Sequence, residues 1–206
     1  MESTPLKQII ESYEAMKHAE GQAVLATVVK ARGALQQCAG TRMMFLEDGT
    51  TIGSAGNEEL QRLLTDRAHK ILDSEGPQTV SFTLPTPSAN NDQKPGSGSM
   101  AQILLEPLPI GARSAHLQFI GDCMRSGKTG VIASIFRVDG EFKARIGTHA
   151  FLHEDGKIEE DVRSPVLMAA MTEDCIRALQ SRSSFVSEYR FTEGVVEAFI
   201  EFLACS

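Results

Sequence analysis

Two stretches of this chain, Val24–Gly49 and Val131–Gly156, can be laid on one another without a gap. They share Val24/Val131, Ala26/Ala133, Gly33/Gly140, Gly40/Gly147 and Thr41/Thr148, and both end in Glu-Asp-Gly, at Glu47–Gly49 and Glu154–Gly156. Most other pairs match apolar with apolar. A chain duplicated in this way must build one unit twice, so its 206 residues are expected to form two similar lobes, 1–108 and 109–206. A period of roughly a hundred residues is too long for a solenoid, whose repeats run to about 20–50 residues. The hydrophobic share of 42% supplies enough apolar side chains for a sizeable core.

The same pattern of elements runs through both copies. Thr4-Pro5 opens a helix with Leu6, Ile9, Ile10, Tyr13 and Met16 on one face, ended by Gly21. Val24–Ala31 has almost no charge and reads as a strand buried on both faces. Gly33 and Gly40 bracket a loop, Thr41–Leu46 is extended, and Asp48-Gly49 is a hairpin turn. Gly53–Asn57 is a further loop whose Asn57 caps a helix, with Glu58 and Glu59 in the first turn and Leu60, Leu63, Leu64, Ala68, Ile71 and Leu72 inward. Val80–Leu84 and Ile103–Leu105 are short strands around Pro85–Ser99, a loop rich in Pro, Ser, Asn and Gly, and Pro107–Gly111 is the boundary between lobes. In the second copy Ser114 caps a helix, Val131–Val138 is the buried strand, Ser164-Pro165 opens the helix, and strands near Phe185–Phe191 and Val195–Phe202 close the lobe. The fold class is α/β: two α-β-β-α-β-β lobes from an internal duplication, each a mixed sheet covered by helices.

A net charge of −7 with no run of Lys or Arg argues against a nucleic-acid partner, which needs clustered positive charge. Cys38, Cys123, Cys175 and Cys205 are far apart and form neither a C-x-x-C pair nor a disulfide framework. With no leader and no apolar run of about 18 residues, a reduced, cytoplasmic protein is expected, with no membrane contact.

Few residues suggest chemistry on their own. Arg125–Thr129 reads like the end of a phosphate-binding P-loop, but it runs helix–turn–strand where a P-loop needs strand–loop–helix. His149 and His153, four apart in an extended stretch, are about 13 Å apart, too far for one metal ion, and are expected at surface or edge positions. Cys38 lies on the glycine-bracketed loop, where a thiol meets a soft metal or reactive partner or is simply partly buried. Gly96–Ser99 offers backbone N–H groups to an anion or is a flexible linker. No nucleophile–base set and no metal-ligand spacing can be read, so no catalytic residue and no metal site is assigned.

From Val24 to Gly56, the strand ending in Ala26-Thr27-Val28-Val29, the glycine-loop-glycine, Met43, Asp48-Gly49 and Gly53-Ser54-Ala55-Gly56 resemble the XdhC/CoxI family, accessory factors for xanthine dehydrogenase and carbon monoxide dehydrogenase. Ile103–Pro107 and Ala198–Glu201 resemble the ends of its two units. The resemblance implies a non-catalytic chaperone that binds the molybdenum cofactor, presents it for sulfuration and helps insert it into the apo-enzyme. Its implied partners are a molybdenum hydroxylase and a cysteine desulfurase or sulfurase, and a homodimer is a further expectation. The implied contacts are Gly33, Cys38, Gly40, Arg42, Gly53, Gly56, Ser97 and Gly98, with Arg42 on a phosphate. Where the family has cysteines, this chain has Glu59 and Ser97, so Cys38 is the substitute thiol. The chain ends where many members continue into a Rossmann domain, and no G-x-G-x-x-G follows a strand. The alternative is a module that has lost the cofactor and docks to a partner or dimerises.

Overall fold

The structure, a computed structural model, describes residues 4–16, 21–68, 70, 76–84, 98–109 and 114–204. The expected helix end at 17–20, Ile71, Leu72, residues 85–97 with Ser97, Ile110 and Gly111 of the boundary, and Cys205 lie outside them. Two compact units divide the chain, Met1–Ser12 with Ala19–Ile110, and Tyr13–His18 with Gly111–Ser206.

The first lobe runs α1 (Pro5–Ala15), β1 (Gln22–Arg32), a 3-10 turn (Gly33–Cys38), β2 (Arg42–Leu46), β3 (Thr51–Ser54), α2 (Glu58–Ala68), β4 (Gln78–Leu84) and β5 (Ser99–Pro109). Its sheet has the order β3-β2-β1-β5-β4. The second runs α3 (Ala115–Ser126), β6 (Gly130–Gly140), β7 (His149–His153), β8 (Ile158–Glu160), α4 (Pro165–Ser181), β9 (Phe185–Phe191) and β10 (Gly194–Leu203), in the order β8-β7-β6-β10-β9. The two orders are the same. The duplicated α/β lobes are therefore as expected, with two differences inside them. Every strand pair is antiparallel, so the sheets are not mixed, and each has an additional strand, β3 or β8. The cause is the hairpin at Asp48-Gly49. It reverses the chain into β3 at one edge, and α2 then crosses the sheet to deliver β4 to the other edge, where it pairs antiparallel with β5.

Hydrogen bonds repeat as faithfully as residues do. Gly40 N–H donates to the Val28 carbonyl as Gly147 N–H does to Ile135, both at 2.8 Å, and Val28 N–H donates to Thr41 as Ile135 does to Thr148, both at 3.0 Å. Asp48 accepts from Thr50 N–H at 2.8 Å and Asp155 from Lys157 N–H at 3.0 Å, closing the two hairpin turns. Each central strand also carries a bulge at the same place, with Val29 and Phe136 left over in the registers β1–β5 and β6–β10.

Alternation in β1, β2 and β5 puts Val24, Ala26, Val28, Met43, Phe45, Ile103 and Leu105 on one face, where they pack with Leu60 and Leu64 of α2. In the second sheet Val131, Ala133, Ile135, Ala150 and Leu152 pack with Leu167, Met171 and Cys175 of α4. The opposite face of β7 meets α3, through Phe119 against Phe151 at 5.1 Å and His116 against His149 at 4.5 Å between ring centroids. No helix among the described residues is long and apolar enough to cross a membrane.

Candidate functional site

The loop between β1 and β2 is wound into the 3-10 turn and tied to the loop before α2. Thr41 makes the tie: its N–H donates to the Cys38 carbonyl at 3.0 Å. Its hydroxyl shares one proton between the carbonyls of Cys38, at 2.6 Å, and Ala55, at 3.0 Å. This brings Gly56 onto Cys38. Gly56 has φ +76°, and a Cβ there would lie 3.3 Å from the Cys38 Sγ. The thiol is only 1% exposed, and burial pushes its pKa up. It is a neutral, covered thiol at pH 7, the opposite of the electropositive setting that activates cysteine.

The other expected contacts are dispersed. Gly33 packs against Ser99, whose hydroxyl accepts from Ala34 N–H at 3.0 Å. Gly98 packs against Thr83 and the Leu84 carbonyl at the end of β4. Gly40 is occupied in the sheet by its bond to Val28. Arg42 is 4% exposed, and its Nη1 donates to the Gly40 carbonyl at 3.0 Å. It alternates with Met43, which faces α2, so it lies on the other side of the sheet from Cys38 and Gly56. Gly53 is on that side too, where its missing Cβ leaves room for the Arg42 carbonyl and the side chain of Ile9. Of the expected residues, then, Cys38 and Gly56 meet, while Arg42 and Gly53 belong to the opposite face. Glu58 and Glu59 are exposed on the first turn of α2, with Glu59 3.0 Å from Arg62.

In the second lobe the same two loops are lined differently. A cavity of about 270 Å³ is bounded by Phe142, Lys143, Arg145, Thr148, Asp161 and Arg163, among others. A larger, more open one of about 770 Å³ shares Phe142, Lys143 and Arg163 and extends to Arg190 and the start of α4. Aligning the repeats sets Arg145 where the first lobe has Cys38, Arg163 where it has Gly56 and Lys143 where it has Gln36. Reading the repeat for its differences, rather than for its identities, would have found this cluster.

The two histidines of β7 are half-buried rather than at the surface. His149 Nδ1 lies 3.0 Å from the Ser134 hydroxyl, and His153 stands edge-on to Phe119 at 4.9 Å. Both are drawn in by α3, which the strand pattern alone does not reveal. Arg125–Thr129 is the end of α3 and its left-handed turn at Gly127, leading into β6, as the sequence order required.

Two antiparallel five-stranded sheets of one topology, the first with its interstrand loop pinned through Thr41 to the loop before α2, define a tandem-repeat α/β protein. Its first lobe carries the pattern of the XdhC and CoxI family, whose model matches residues 16–83, both loops included, as the sequence motifs indicated. A protein from Bacillus halodurans, described as a xanthine dehydrogenase and solved by crystallography, shares the fold with a TM-score of 0.58 and 23% identity. The likeness covers 98% of this chain and 53% of that one, so the chain spans about half the length of its neighbour. No curated protein matches it.

Proposed function

We propose that this chain is a non-catalytic accessory protein in the maturation of a molybdenum hydroxylase, and that it works by contact with the apo-enzyme. The observation that carries the reading is the family match over residues 16–83, which spans the two loops joined through Thr41.

The molybdenum cofactor, an anion with a phosphate and a dithiolene, is a poor fit to those loops. The only thiol there is neutral, buried and covered by Gly56. Arg42 is turned into the opposite face and bonded to Gly40. The acidic side chains Glu58 and Glu59 are exposed beside the loop and repel an anion. These observations favour docking to the hydroxylase over carriage of the cofactor at Cys38.

The test is gel filtration of the protein with an apo-molybdenum hydroxylase, run beside anaerobic titration with molybdenum cofactor and assay of bound molybdenum for wild type and Cys38→Ser. Co-elution with the apo-enzyme without stoichiometric molybdenum is the expected result. Stoichiometric molybdenum lost in Cys38→Ser would replace docking with carriage. Neither association nor molybdenum would sink the accessory role.

A further inference from the structure

We propose that the second lobe binds a small phosphate-bearing anion in the cavity between the loop Gly140–Gly147 and the start of α4. The inference is independent of the docking reading, since it rests on a different lobe and needs no hydroxylase.

Charge is the first argument. In a chain of net charge −7, the cavity gathers Lys143, Arg145 and Arg163, and none of the three side chains forms an ion pair with a described residue. Arg190, at the outer part, is held by Glu188. Asp161 lines the inner cavity, and Glu141 and Glu193 line the outer one. The carboxylates therefore limit the field without neutralising the three free cations individually. Converging cations of one sign repel, and an anion between them removes that repulsion. Arg145 and Arg163 both line this cavity, and guanidinium N–H groups are donors that phosphate oxygens accept. The positive end of the 17-residue α4 opens toward the same space and adds to the attraction.

Shape is the second argument. Phe142 and Phe191 stack at 5.0 Å between centroids and form an apolar wall beside the cations, against which the carbon part of a phosphate ester can lie. A cavity of about 270 Å³ opening into a larger one is of the order that small ligands occupy. The first lobe supplies the contrast, because its equivalent residues, Gln36, Cys38 and Gly56, are neutral, and Gly56 closes onto Cys38.

Equilibrium dialysis of the intact protein against inorganic phosphate and, separately, adenosine monophosphate tests the site. We expect one saturable site, weakened about tenfold or more by Arg145→Ala and likewise by Arg163→Ala, each removing one charge-assisted contact. Arg145→Lys should retain part of the affinity, and Arg182→Ala at the far end of α4 should leave it unchanged. Thermal melts of each variant separate lost binding from lost folding. Tighter binding of the monophosphate would identify an ester as the ligand, and equal binding would identify the free anion; both support the site. Absence of saturable binding of either probe, or binding indifferent to Arg145 and Arg163 in folded variants, would overturn it.

Discussion

At the loop pinned by Thr41 in the first lobe, a glycine packs so closely on a buried thiol that a Cβ there would lie 3.3 Å from the sulfur; at the corresponding loop in the second, the same two positions are Arg163 and Arg145 and a cavity opens. The backbone explains the change. Gly56 sits at φ +76°, whereas Arg182 is the only non-glycine residue at positive φ among those described, so Arg163 takes another path. The sheet hydrogen bonds on either side of the loop are the same in both lobes. Duplication has thus preserved the pairing that makes the fold and released the loop side chains, which is where function is free to differ.

The largest effects should be those that treat the lobes alike. Leu60 and Leu167 are equivalent, each fully buried under its helix. Leu60→Ala and Leu167→Ala should each cost about 2–5 kcal/mol through lost burial and the cavity left behind, measured by denaturant unfolding. Similar losses would show that the two cores are equally packed. A cost near zero for one of them would break the symmetry that the topology asserts.

Exchanging the loop residues should be asymmetric. Gly56→Arg forces a side chain into left-handed backbone against Cys38 and Thr41 and should cost about 1–3 kcal/mol. The reverse change, Arg163→Gly, removes an exposed side chain from ordinary backbone and should cost about 0.5–1 kcal/mol, by extra freedom in the unfolded chain. Equal costs in denaturant unfolding would mean that Gly56 is not what closes the first loop.

The duplication, the buried central strands and the helix caps were legible because they rest on periodic apolar residues and on Asn or Ser before a helix. The strand Thr51–Ser54 was hidden because it has one exposed and three half-buried residues at a sheet edge, too few for an alternation to stand out and with a glycine that reads as loop. Arg42 was misleading for another reason. A lone arginine beside a loop glycine looks exposed in sequence, and only the register with Thr27 and Ser54 reveals that it points into the far face. The Cys38–Gly56 contact joins residues eighteen apart through a threonine hydroxyl, and no local pattern encodes that.

A polar contact of the second lobe sharpens the comparison at high pH. Tyr189 donates to Asp174 at 2.8 Å, where the first lobe has Phe82. Burial first, and then Asp174, raises the Tyr189 pKa, and burial pushes the adjacent Cys175 up to about 12. Both groups stay protonated in the folded protein after the unfolded chain has begun to ionise. The unfolded state then binds fewer protons than the folded one, so stability is full below the unfolded pKa values, near 8.5 and 10, and falls as pH rises above them. Tyr189→Phe should cost about 0.5–1.5 kcal/mol at neutral pH and flatten the fall above pH 10, as read from urea midpoints against pH. An unchanged alkaline slope would remove Tyr189 as its source.

The smallest expected difference lies in the helix caps. Asn57 Oδ1 accepts from Leu60 N–H at 3.0 Å, and Ser164 Oγ from Leu167 N–H at 3.4 Å, each satisfying one of the N–H groups left free at a helix start. The second helix also has Pro165 in its first turn, which pre-sets the backbone and removes one N–H that would need a partner. The first helix has Glu58 and Glu59 there instead, favourable to its dipole. Asn57→Ala should therefore cost about 1 kcal/mol and Ser164→Ala about 0.5 kcal/mol, in two otherwise equivalent unfolding experiments. If Ser164 proved the costlier cap, the start of α4 would depend on its serine more than on its proline, and the backbone beside the basic cavity would be less firmly set than the structure indicates.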